Sequence, residues 1–575
     1  MADILLAAVN ARYNHTNIAV RSLALYSRMP GLVIFDEWTI NQPELEILRG
    51  IAEHHPKIIL FSTYIWNIDI VLKIVRELPK IIPGCIIGAG GPEAGYRARH
   101  ILSREPEMDI IIEGEGEQTT AELAELYQTQ CDSFNTEVWL EAASCIPGVY
   151  VKTGSGKNMH ITYGGLRNPL PDLNVLPFPY PEITDPENRI YYYESSRGCP
   201  FSCAYCMSSL DKHVRFMPLE RVFRDLQRFL DAGTALVKFV DRTYNLEPER
   251  YIKIWKYICA HHNGVTMFHF EIEAEYLCAE ALDFLRTVPA GIMQFEIGIQ
   301  TTNTETLKEV HRSPNVRTSA ENIRLIPKTI HTHLDLIAGL PYEGLDSFGH
   351  SFDWTLALTP DALQLGFLKV LAGTPMESYC LKNGWKWMSD PPYEVLSTPY
   401  LSYDDIQFLK DIELLLDVYW NSHNFDTTIY AIQKLKSLWE FFCKLTGYCR
   451  KQNAFTLQRK PAYWYEIINN FFSENFFNDT DSRILHELLR FDFISTGKKG
   501  NFPVWCEHNY NKEAHREALE KHTDFASTRT AYSSSEYDEF IINPLAPQEH
   551  CSGSTYKILF VYLHDSDGKT TTILM

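Results

Sequence analysis

The segment Glu194-Ser-Ser-Arg-Gly-Cys-Pro-Phe-Ser-Cys-Ala-Tyr-Cys206 contains Cys199, Cys203 and Cys206 in one short loop, directly after the aromatic run Tyr191–Tyr193. Aromatic residues favour a half-buried β-strand, so the loop is predicted to follow a strand end. Because cysteine thiolates bind the irons of iron–sulfur clusters, three thiols at this spacing can bind three irons of a [4Fe-4S] cube and leave the fourth open. Inert buried cysteines or half of a zinc site are alternatives, although structural zinc normally has four protein ligands.

With a strand before it, the sequence Arg-Gly-Cys-Pro-x-x-Cys-x-x-Cys resembles the cluster loop of the radical S-adenosylmethionine (SAM) enzymes. The resemblance implies that the open iron chelates the amino and carboxylate groups of SAM. An electron from the cluster then cleaves the sulfonium and releases a 5′-deoxyadenosyl radical. Tyr205, between the last two cysteines, is expected to pack near the adenine. The spacing alone indicates only a three-thiol site.

The composition is that of a multidomain globular protein. A length of 575 residues predicts two to four domains, and 45% hydrophobic with 22% charged residues favours a soluble fold. We find no apolar run of about 18 residues, and the start Met1–Val9 resembles a buried strand more than an export signal. Thirteen scattered cysteines favour a reducing, cytoplasmic location over a disulfide framework. The net charge of −20 disfavours nucleic acid as a partner.

Short apolar runs alternate with amphipathic ones over the first 130 residues. Strands are predicted at Ile4–Val9, Leu32–Phe35, Lys57–Ser62, Cys85–Ala89 and Asp109–Glu113. Helices are predicted to begin near Thr16, Gln42, Asn67, Pro92 and Glu117. This alternation predicts a doubly wound, Rossmann-like α/β sheet.

Ligands of such sheets bind at the carboxyl ends of the strands, where glycines allow close approach of the backbone. Glycine-rich strand ends are also typical of ordinary turns. Before a radical SAM loop, however, Gly-Gly-Pro-Glu93 and Gly-Glu-Gly-Glu117 resemble the cobalamin (B12)-binding domain of the cobalamin-dependent radical SAM enzymes. The resemblance implies contacts to cobalamin from the following residues: Asn10, Tyr13, His15, Ser62, Thr63, Trp66, Gly90, Gly91, Glu93, Glu113, Gly114 and Glu115.

The expected cobalamin is base-off, with its nucleotide tail beside Ser62 and Thr63. The Asp-x-His-x-x-Gly signature that supplies a cobalt-ligating histidine in many cobalamin proteins is absent. His15 is therefore expected to be a surface or capping residue, and the lower cobalt face to be open or covered by Tyr13, His15 or Trp66.

The chain is predicted to divide at a proline-rich segment. Residues 1–165 form the cobalamin-binding domain, in which 131–165 contain a short helix and a hairpin that cover the sheet. Six prolines between 166 and 189 disfavour helix and central strand, which indicates a linker. Residues 190–375 form the radical SAM core. Residues 376–575 form a mainly helical C-terminal domain, expected to be a substrate cap.

The core is predicted to be a partial (βα)6 barrel with its site at the carboxyl strand ends. Its strands are predicted at Ile190–Ser195, Leu236–Val240, Met267–Glu273, Met293–Ile299, His333–Ala338 and Leu363–Val370. Resemblance to strand motifs of related enzymes implies SAM contacts at Tyr205, Asp241, Glu296, Gln300, Lys369 and Leu371. Asp241 as a helix cap, and Glu296 in an ion pair with Arg312, are the structural alternatives.

The C-terminal region contains helical patterns at Ile406–Tyr419 and Tyr430–Leu445. A hairpin is predicted from Lys557 to Leu574 around an Asp-Ser-Asp-Gly turn. Residues 523–535 are rich in Ser and Thr and are predicted to form a loop.

The resemblance implies an enzyme with three cofactors: a [4Fe-4S] cluster, SAM and cobalamin. One SAM would methylate cob(I)alamin, and a second would give the radical that abstracts a hydrogen from an unactivated carbon, which then takes the methyl group. It also implies a small-molecule or peptide substrate and a reducing partner such as flavodoxin or ferredoxin. No catalytic side chain is assigned.

Three alternatives remain open from the sequence. The first is cobalamin-assisted rearrangement or cyclisation without methyl transfer. Methylthiolation of tRNA is disfavoured, because that family has a second trio of N-terminal cysteines and this region holds only Cys85, Cys131 and Cys145. A non-catalytic cobalamin or redox sensor is disfavoured by the strand motifs for SAM.

Overall fold

The computed structural model describes residues 3–131, 134–154, 158–474, 477–497, 501–521, 534–546, 555–562 and 570–574. The chain forms two compact units: unit 1 is Met1–Glu343 with Gly366–Tyr400, and unit 2 is Gly344–Leu365 with Leu401–Met575. Every candidate site residue belongs to unit 1. Within the described part of the chain, none of the helices has the length and apolar composition that crossing a bilayer requires.

Unit 1 begins with a seven-stranded sheet of order β2-β1-β3-β4-β5-β6-β7. Its strands are β1 Ile4–Asn10, β2 Val33–Thr39, β3 Ile58–Ser62, β4 Ile86–Gly90, β5 Ile110–Ile112, β6 Val149–Thr153 and β7 His160–Tyr163. Its helices are α1 Ile18–Tyr26, α2 Glu44–His54, α3 Ile68–Ile81, α4 Pro92–Tyr96, α5 Ala98–Arg104, α6 Gly116–Gln130 and α7 Thr136–Ala143. All residues of β1 and β3 are buried, as expected for parallel strands covered on both faces. The predicted doubly wound sheet is confirmed.

The hairpin β6-β7 extends this sheet. The sequence predicted a cover over the domain, but β6 pairs antiparallel with β5, with Ile110 opposite Val151, and β7 pairs with β6. The free N–H and C=O groups at the edge strand β5 explain the difference, because pairing with the hairpin satisfies them.

A second sheet has the order β15-β14-β13-β12-β11-β8. Its strands are β8 Ile190–Tyr193, β11 Leu236–Phe239, β12 Met267–Ile272, β13 Met293–Gln300, β14 His331–Ala338 and β15 Ala362–Phe367, and β9 Ser196–Arg197 pairs separately with β10 Arg215–Phe216. Its helices in unit 1 are α8 Leu219–Ala232, α9 Pro248–Ala260, α10 Ala279–Leu285, α11 Thr304–Glu309 and α12 Val316–Leu325. The next helix in the chain, α13 Leu345–Leu356, belongs to unit 2. The strands from β8 to β14 pair in parallel, as predicted for the partial barrel. Buried and half-buried residues alternate along β13 and β14, so polar side chains share one face of the sheet.

Residues 166–189, between the two sheets, contain neither an α-helix nor a strand. Their only regular element is a short 3₁₀ turn at Leu173–Val175. After β15, unit 1 adds α14 Pro375–Lys382 and the strand pair β16 Lys386–Trp387 and β17 Val395–Ser397.

In unit 2, the described residues after Tyr400 form six α-helices and a three-stranded sheet. The helices are α15 Tyr403–Leu416, α16 Asp426–Leu435, α17 Leu438–Lys451, α18 Pro461–Phe471, α19 Asp479–Ser495 and α20 Lys512–Lys521. The sheet consists of β18 Ser535–Phe540, β19 Tyr556–Tyr562 and β20 Thr570–Leu574. The two strands of the predicted hairpin pair as β19 and β20. Strand β18 was not predicted. The predicted Ser- and Thr-rich loop falls largely on residues 522–533, which lie outside the described part of the chain.

The single helix predicted over Tyr430–Leu445 is wrong, because the chain breaks between α16 and α17. Lys436 is extended, with φ −144° and ψ 162°. The Ser437 side chain then accepts a hydrogen bond from the Glu440 N–H and caps the N-terminus of α17. The apolar periodicity continues across this break, so it does not reveal the cap.

Tyr393, in the segment between β16 and β17, contacts residues that follow β4 of the first sheet. Its hydroxyl donates a hydrogen bond to Glu93 Oε1 and accepts one from Arg97 Nη1. The Arg97 guanidinium also lies over the Tyr393 ring, 4.8 Å from its centroid. Burial raises the pKa of Glu93, while Tyr393 and Arg97 oppose that rise. Glu93 therefore has a structural role in this contact.

Removing the Tyr393 hydroxyl tests the contact. We expect Tyr393→Phe to lower the free energy of unfolding by about 1–3 kcal/mol, because the buried Glu93 carboxylate loses a donor. Urea unfolding followed by circular dichroism measures the change. The control Tyr403→Phe removes a hydroxyl from an exposed ring and should stay within about 0.5 kcal/mol of the wild type. Equal stability of the two variants would contradict this interpretation.

Candidate active site

The cysteine loop after β8 is fixed by main-chain hydrogen bonds. The Cys199 N–H donates to the Asp211 carbonyl at 2.8 Å, and the Ala204 N–H donates to the Val310 carbonyl at 3.0 Å. Gly198 has φ +93°, and a Cβ there would lie 2.4 Å from the His213 carbonyl oxygen. Only glycine fits this position, which explains the Arg-Gly-Cys order of the motif.

The three cysteines line one cavity of about 230 Å³, called the cysteine cavity below. Cys199 and Cys203 are buried, Cys206 is half-buried, and all three are free thiols. Among the described residues, no three His, Cys, Asp or Glu side chains converge where a single metal ion could bind. A cubic cluster places each thiolate on a different iron, so the donor set of this cavity fits the predicted cluster.

The side of the cavity opposite the cysteines is polar. The chain has a β-bulge between Gly298 and Gln300, and Gln300 has φ +66°. A Cβ on Gly298 would lie 2.2 Å from Gln300 Nε2, so this glycine makes room for the Gln300 amide. The buried atoms Gln300 Oε1 and Asp335 Oδ1 have no hydrogen-bond partner among the described residues. Asp335 Oδ1 lies 3.5 Å from His333 Nε2, an ion-pair contact without a hydrogen bond. Buried polar atoms without a hydrogen bond are costly, so these two fit a ligand that supplies donors.

Arg312 lies beside the cysteines and pairs with Glu273. Its Nη2 is 2.9 Å from Glu273 Oε2 and donates to the Gly298 carbonyl at 2.7 Å, while its Nη1 is 3.4 Å from the Tyr205 hydroxyl. Burial raises the pKa of Cys203, and the Arg312 charge opposes this rise. The alternative of a Glu296–Arg312 ion pair is wrong, because Arg312 is already paired on the neighbouring strand end.

Glu296 instead pairs with a histidine inside the barrel. His269 Nε2 lies 3.1 Å from Glu296 Oε2, and this contact holds the pKa of Glu296 below its ordinary value. Burial raises the pKa of Asp335 well above its usual range, and the charges of Glu296 and Glu271 add to the rise. The interior face of β12, β13 and β14 is therefore strongly polar and acidic next to the cysteines.

Three of the six predicted SAM residues line the cysteine cavity: Tyr205, Glu296 and Gln300. The Asp241 carboxylate does not line it, because it accepts hydrogen bonds from the Ser195 N–H at 2.9 Å and from the hydroxyls of Ser195 and Ser196. Its side chain therefore connects the ends of β8 and β11. Lys369 is exposed, and neither it nor Leu371 lines the cavity.

A second cavity, of about 550 Å³, lies between the carboxyl ends of the first sheet and the start of the cysteine loop, and is called the sheet-end cavity below. Six predicted cobalamin residues line it: Ser62, Trp66, Gly90, Gly91, Gly114 and Glu115. Trp66 stacks on Tyr64 with ring centroids 4.2 Å apart. Gly91 has φ +99°, and a Cβ there would lie 2.5 Å from the Thr63 carbonyl oxygen. The size and the flat aromatic and glycine surfaces fit a large planar cofactor.

The other six predicted cobalamin residues, Asn10, Tyr13, His15, Thr63, Glu93 and Glu113, do not line the sheet-end cavity. Asn10 Nδ2 donates to the His15 carbonyl at 3.0 Å and to Glu37 Oε2 at 2.8 Å. His15 Nδ1 lies 2.9 Å from the Tyr192 hydroxyl. Tyr13 is 74% exposed, and Thr63 donates its hydroxyl hydrogen to the Gly90 carbonyl. These side chains have partners or positions away from the cavity.

An ion network that the sequence did not predict joins the two strand-end regions. Arg197 Nη2 is 2.5 Å from Glu117 Oε1, its Nε is 2.8 Å from Glu194 Oε2, and its Nη1 is 3.6 Å from Glu115 Oε1. Arg215 Nη2 is 2.7 Å from the same oxygen of Glu115. Burial alone would raise the pKa of Glu115, but the hydrogen bond from Arg215 and the charge of Arg197 lower it overall. The acidic run Glu113–Glu117 was the available signal for this network.

The two cavities share two lining residues, Ser208 and Arg242. Ser208 follows the last cysteine of the loop, and Arg242 follows β11. Two ligands, one in each cavity, would therefore approach one another at these side chains. The sequence did not predict this junction, because neither residue belongs to a recognised motif.

Comparisons with known proteins agree with this arrangement. Residues 4–124 match the model of the B12 binding domain, and residues 193–355 match that of the radical SAM superfamily. Residues 382–543 match a family described as a protein of unknown function, DUF4080.

Two related proteins are methyltransferases. The chain is 26% identical over 330 residues to 2-(S-pantetheinyl)-carbapenam-3-carboxylate methyltransferase of Streptantibioticus cattleyicolor, and 24% identical over 327 residues to the cobalamin-dependent radical SAM methyltransferase TokK of Streptomyces tokunonensis. Each match covers 53% of this chain and 45% of the relative, so the chain spans about half the length of these relatives. It is also 25% identical over 299 residues to the anaerobic magnesium-protoporphyrin IX monomethyl ester cyclase of Synechocystis, covering 49% of this chain and 55% of the cyclase.

The fold is similar to those of two solved enzymes. The cobalamin-dependent SAM radical enzyme OxsB, with aqua-cobalamin and SAM bound, matches with a TM-score of 0.59 at 15% identity, covering 85% of this chain and 78% of that chain. The radical SAM methyltransferase TsrM from Kitasatospora setae, with cobalamin and a [4Fe-4S] cluster bound, matches with a TM-score of 0.54 at 13% identity, covering 70% and 82%. At these identities the likeness concerns the fold.

Substitution of the three cysteines tests the cluster site. Protein reconstituted anaerobically should hold about four irons, and the triple variant Cys199→Ala, Cys203→Ala, Cys206→Ala should lose them, because three thiolates anchor the cube. Iron analysis and visible absorbance measure the loss. The matched triple variant Cys131→Ala, Cys145→Ala, Cys278→Ala changes cysteines outside the cavity and should keep its iron. Iron retention by the first variant would show that other residues bind it.

A pH series tests the Glu296–His269 contact. Because the folded-state pKa of Glu296 is lowered, its contribution to stability is present above the ordinary carboxyl pKa and is lost as the pH falls through the folded value. We expect Glu296→Gln to melt below the wild type at pH 7, with a deficit that shrinks below about pH 4. Glu280→Gln, at an exposed ion pair with Lys256, is the control and should change little. A deficit that is independent of pH would contradict the contact.

Proposed function

We propose that this protein transfers a methyl group to an unactivated carbon of a small-molecule or peptide substrate. The chain belongs to the cobalamin-dependent radical SAM enzymes, and this supports the proposal. One observation carries this proposal. The cysteine cavity and the sheet-end cavity meet at Ser208 and Arg242, so a carbon atom held there would be within reach of ligands in both.

The two cavities contain suitable residues for the three cofactors of the family. Cys199, Cys203 and Cys206 would hold the [4Fe-4S] cluster. Tyr205, Glu296 and Gln300 would contact SAM, and the backbone at Asp241 remains a proposed contact. Ser62, Trp66, Gly90, Gly91, Gly114 and Glu115 would line the cobalamin site. When bound, the cofactors supply a 5′-deoxyadenosyl radical, made from SAM with one electron from the cluster, and a methyl group carried on cobalamin from a second SAM.

The side chains of this protein bind and orient these groups. Arg312 places positive charge beside the Cys203 sulfur, which lies 4.0 Å from its Nη1, and this charge favours the thiolate form that iron binds. Gln300 Oε1 and Asp335 Oδ1 form no hydrogen bond among the described residues and could accept one from a hydroxyl or amino group of a ligand. The Arg197 network holds the loop of Glu115 and Glu117 against the cysteine loop. This contact fixes the position of one cavity relative to the other. Fixed positions of this kind are the main contribution that a protein makes to cofactor chemistry.

The domain assignment follows the same proposal. Residues 1–165 would bind cobalamin, 166–189 would connect, and 190–375 would bind the cluster and SAM. Residues 376–575 would select the substrate. A reducing partner such as flavodoxin or ferredoxin would supply electrons.

A second candidate is radical cyclisation or rearrangement without methyl transfer. The similarity to a magnesium-protoporphyrin IX monomethyl ester cyclase favours it. Both candidates use the same cavities, and they differ in whether SAM also gives S-adenosylhomocysteine.

Product analysis separates the candidates. Reconstituted protein holding cobalamin, given reductant, methyl-deuterated SAM and a substrate panel, should form S-adenosylhomocysteine and 5′-deoxyadenosine in equal amounts and a trideuteromethylated product. Liquid chromatography with mass spectrometry measures all three. Cyclisation would give 5′-deoxyadenosine without S-adenosylhomocysteine, and a sensor would give neither. The triple cysteine variant is the control and should form no 5′-deoxyadenosine.

A further inference from the structure

Among the residues that the structure describes, Arg242 is the one charged side chain that lines both cavities. It lies three residues after the end of β11, beyond the buried Asp241, and is itself exposed. Within the described ranges, its guanidinium forms no hydrogen bond and no ion pair. A guanidinium has five N–H donors in a planar fork that matches a carboxylate.

The other arginines that line the two cavities are neutralised. Arg197 pairs with Glu194 and Glu117, and Arg312 pairs with Glu273. Glu271 lines the cysteine cavity and interacts electrostatically with Arg242. Burial raises the pKa of Glu271, and the positive charge of Arg242 opposes this rise. Glu271 and Arg242 are too far apart to form an ion pair. The Arg242 guanidinium therefore keeps its capacity to bind an anion at the junction of the two cavities.

We propose that Arg242 binds a carboxylate at the junction of the two cavities, and that the substrate of this protein carries that carboxylate. The identification as substrate rests on the proposed function, in which the reacting carbon lies between the two cofactors. A carboxylate suits the site better than a phosphate, because Glu194 lines the sheet-end cavity and Glu271 the cysteine cavity, and both acids would repel a dianion more strongly. The same chemistry could come from the carboxylate of SAM, which the experiment distinguishes.

Modification of arginine by phenylglyoxal tests the proposal without requiring turnover. Full-length protein reconstituted with cluster and cobalamin is treated with phenylglyoxal, alone or with benzoate, benzamide or phenyl phosphate, and digested for mass spectrometry. We expect benzoate to slow modification of Arg242 by severalfold, and benzamide and phenyl phosphate to have less effect. Arg286, a surface arginine 56% exposed, is the internal control and should react equally in all samples. The proposal is overturned if benzoate gives no protection, or no more than either other probe.

A second arm identifies the source of the carboxylate. If it belongs to the substrate, SAM alone leaves Arg242 reactive, and benzoate still protects Arg242 in protein saturated with SAM. If SAM itself protects Arg242, the bound carboxylate is that of SAM and the substrate assignment is overturned.

Variants give an independent readout once the panel yields a substrate. Loss of a charged hydrogen bond should raise KM by about tenfold or more in Arg242→Gln, and Arg242→Lys should recover part of this loss, because it keeps the charge without the fork. The wild type should consume substrates that are carboxylic acids, and it should not consume the corresponding primary amides. Equal use of acids and amides would overturn the proposal. Because the phenylglyoxal result does not depend on methyl transfer, a failure of the proposed function is distinguishable from a failure of this inference.

Discussion

The arrangement of this protein depends on the interaction of one largely buried guanidinium, that of Arg197, with carboxylates that follow strands of both sheets. Burial disfavours its charge, yet Glu194 and Glu117 keep the pKa of Arg197 well above its ordinary value. Breaking a buried pair typically costs roughly 3–5 kcal/mol, because the remaining charge has no partner. The network therefore fixes the glycine-rich loop after β5 against the cysteine loop after β8. Both cavities are formed by elements that this contact holds in place.

This constraint connects fold to function. A doubly wound sheet binds ligands at the carboxyl ends of its strands, and so does a βα barrel. Here the two sets of strand ends share a boundary, where Ser208 and Arg242 line both cavities. Chemistry that needs two cofactors beside one carbon requires such a junction. In the proposed function, the acidic interior of the barrel and the unpaired Arg242 would select a substrate by its charge.

Much of the fold could be predicted from local sequence. Strand–helix alternation gave the first five strands and the six barrel strands within a few residues, because buried parallel strands have continuous apolar runs. The cysteine spacing identified the loop. Pairing between distant residues could not be predicted: Glu93 contacts Tyr393, Asp241 contacts Ser195, and Arg312 pairs with Glu273 rather than Glu296. Such choices depend on tertiary geometry, which a single sequence does not contain. The break at Ser437 was missed because a cap within an apolar pattern leaves the periodicity unchanged.

We expect the cluster and cobalamin to occupy adjoining cavities in unit 1. Electron paramagnetic resonance of protein that holds cob(II)alamin tests it most directly, with the cluster either oxidised and diamagnetic or reduced and paramagnetic. Because the cavities share lining residues, reduction of the cluster should broaden or split the cob(II)alamin signal through magnetic interaction. An unchanged cob(II)alamin signal, in protein that retains both cofactors, would show that the two cofactors do not occupy adjoining cavities.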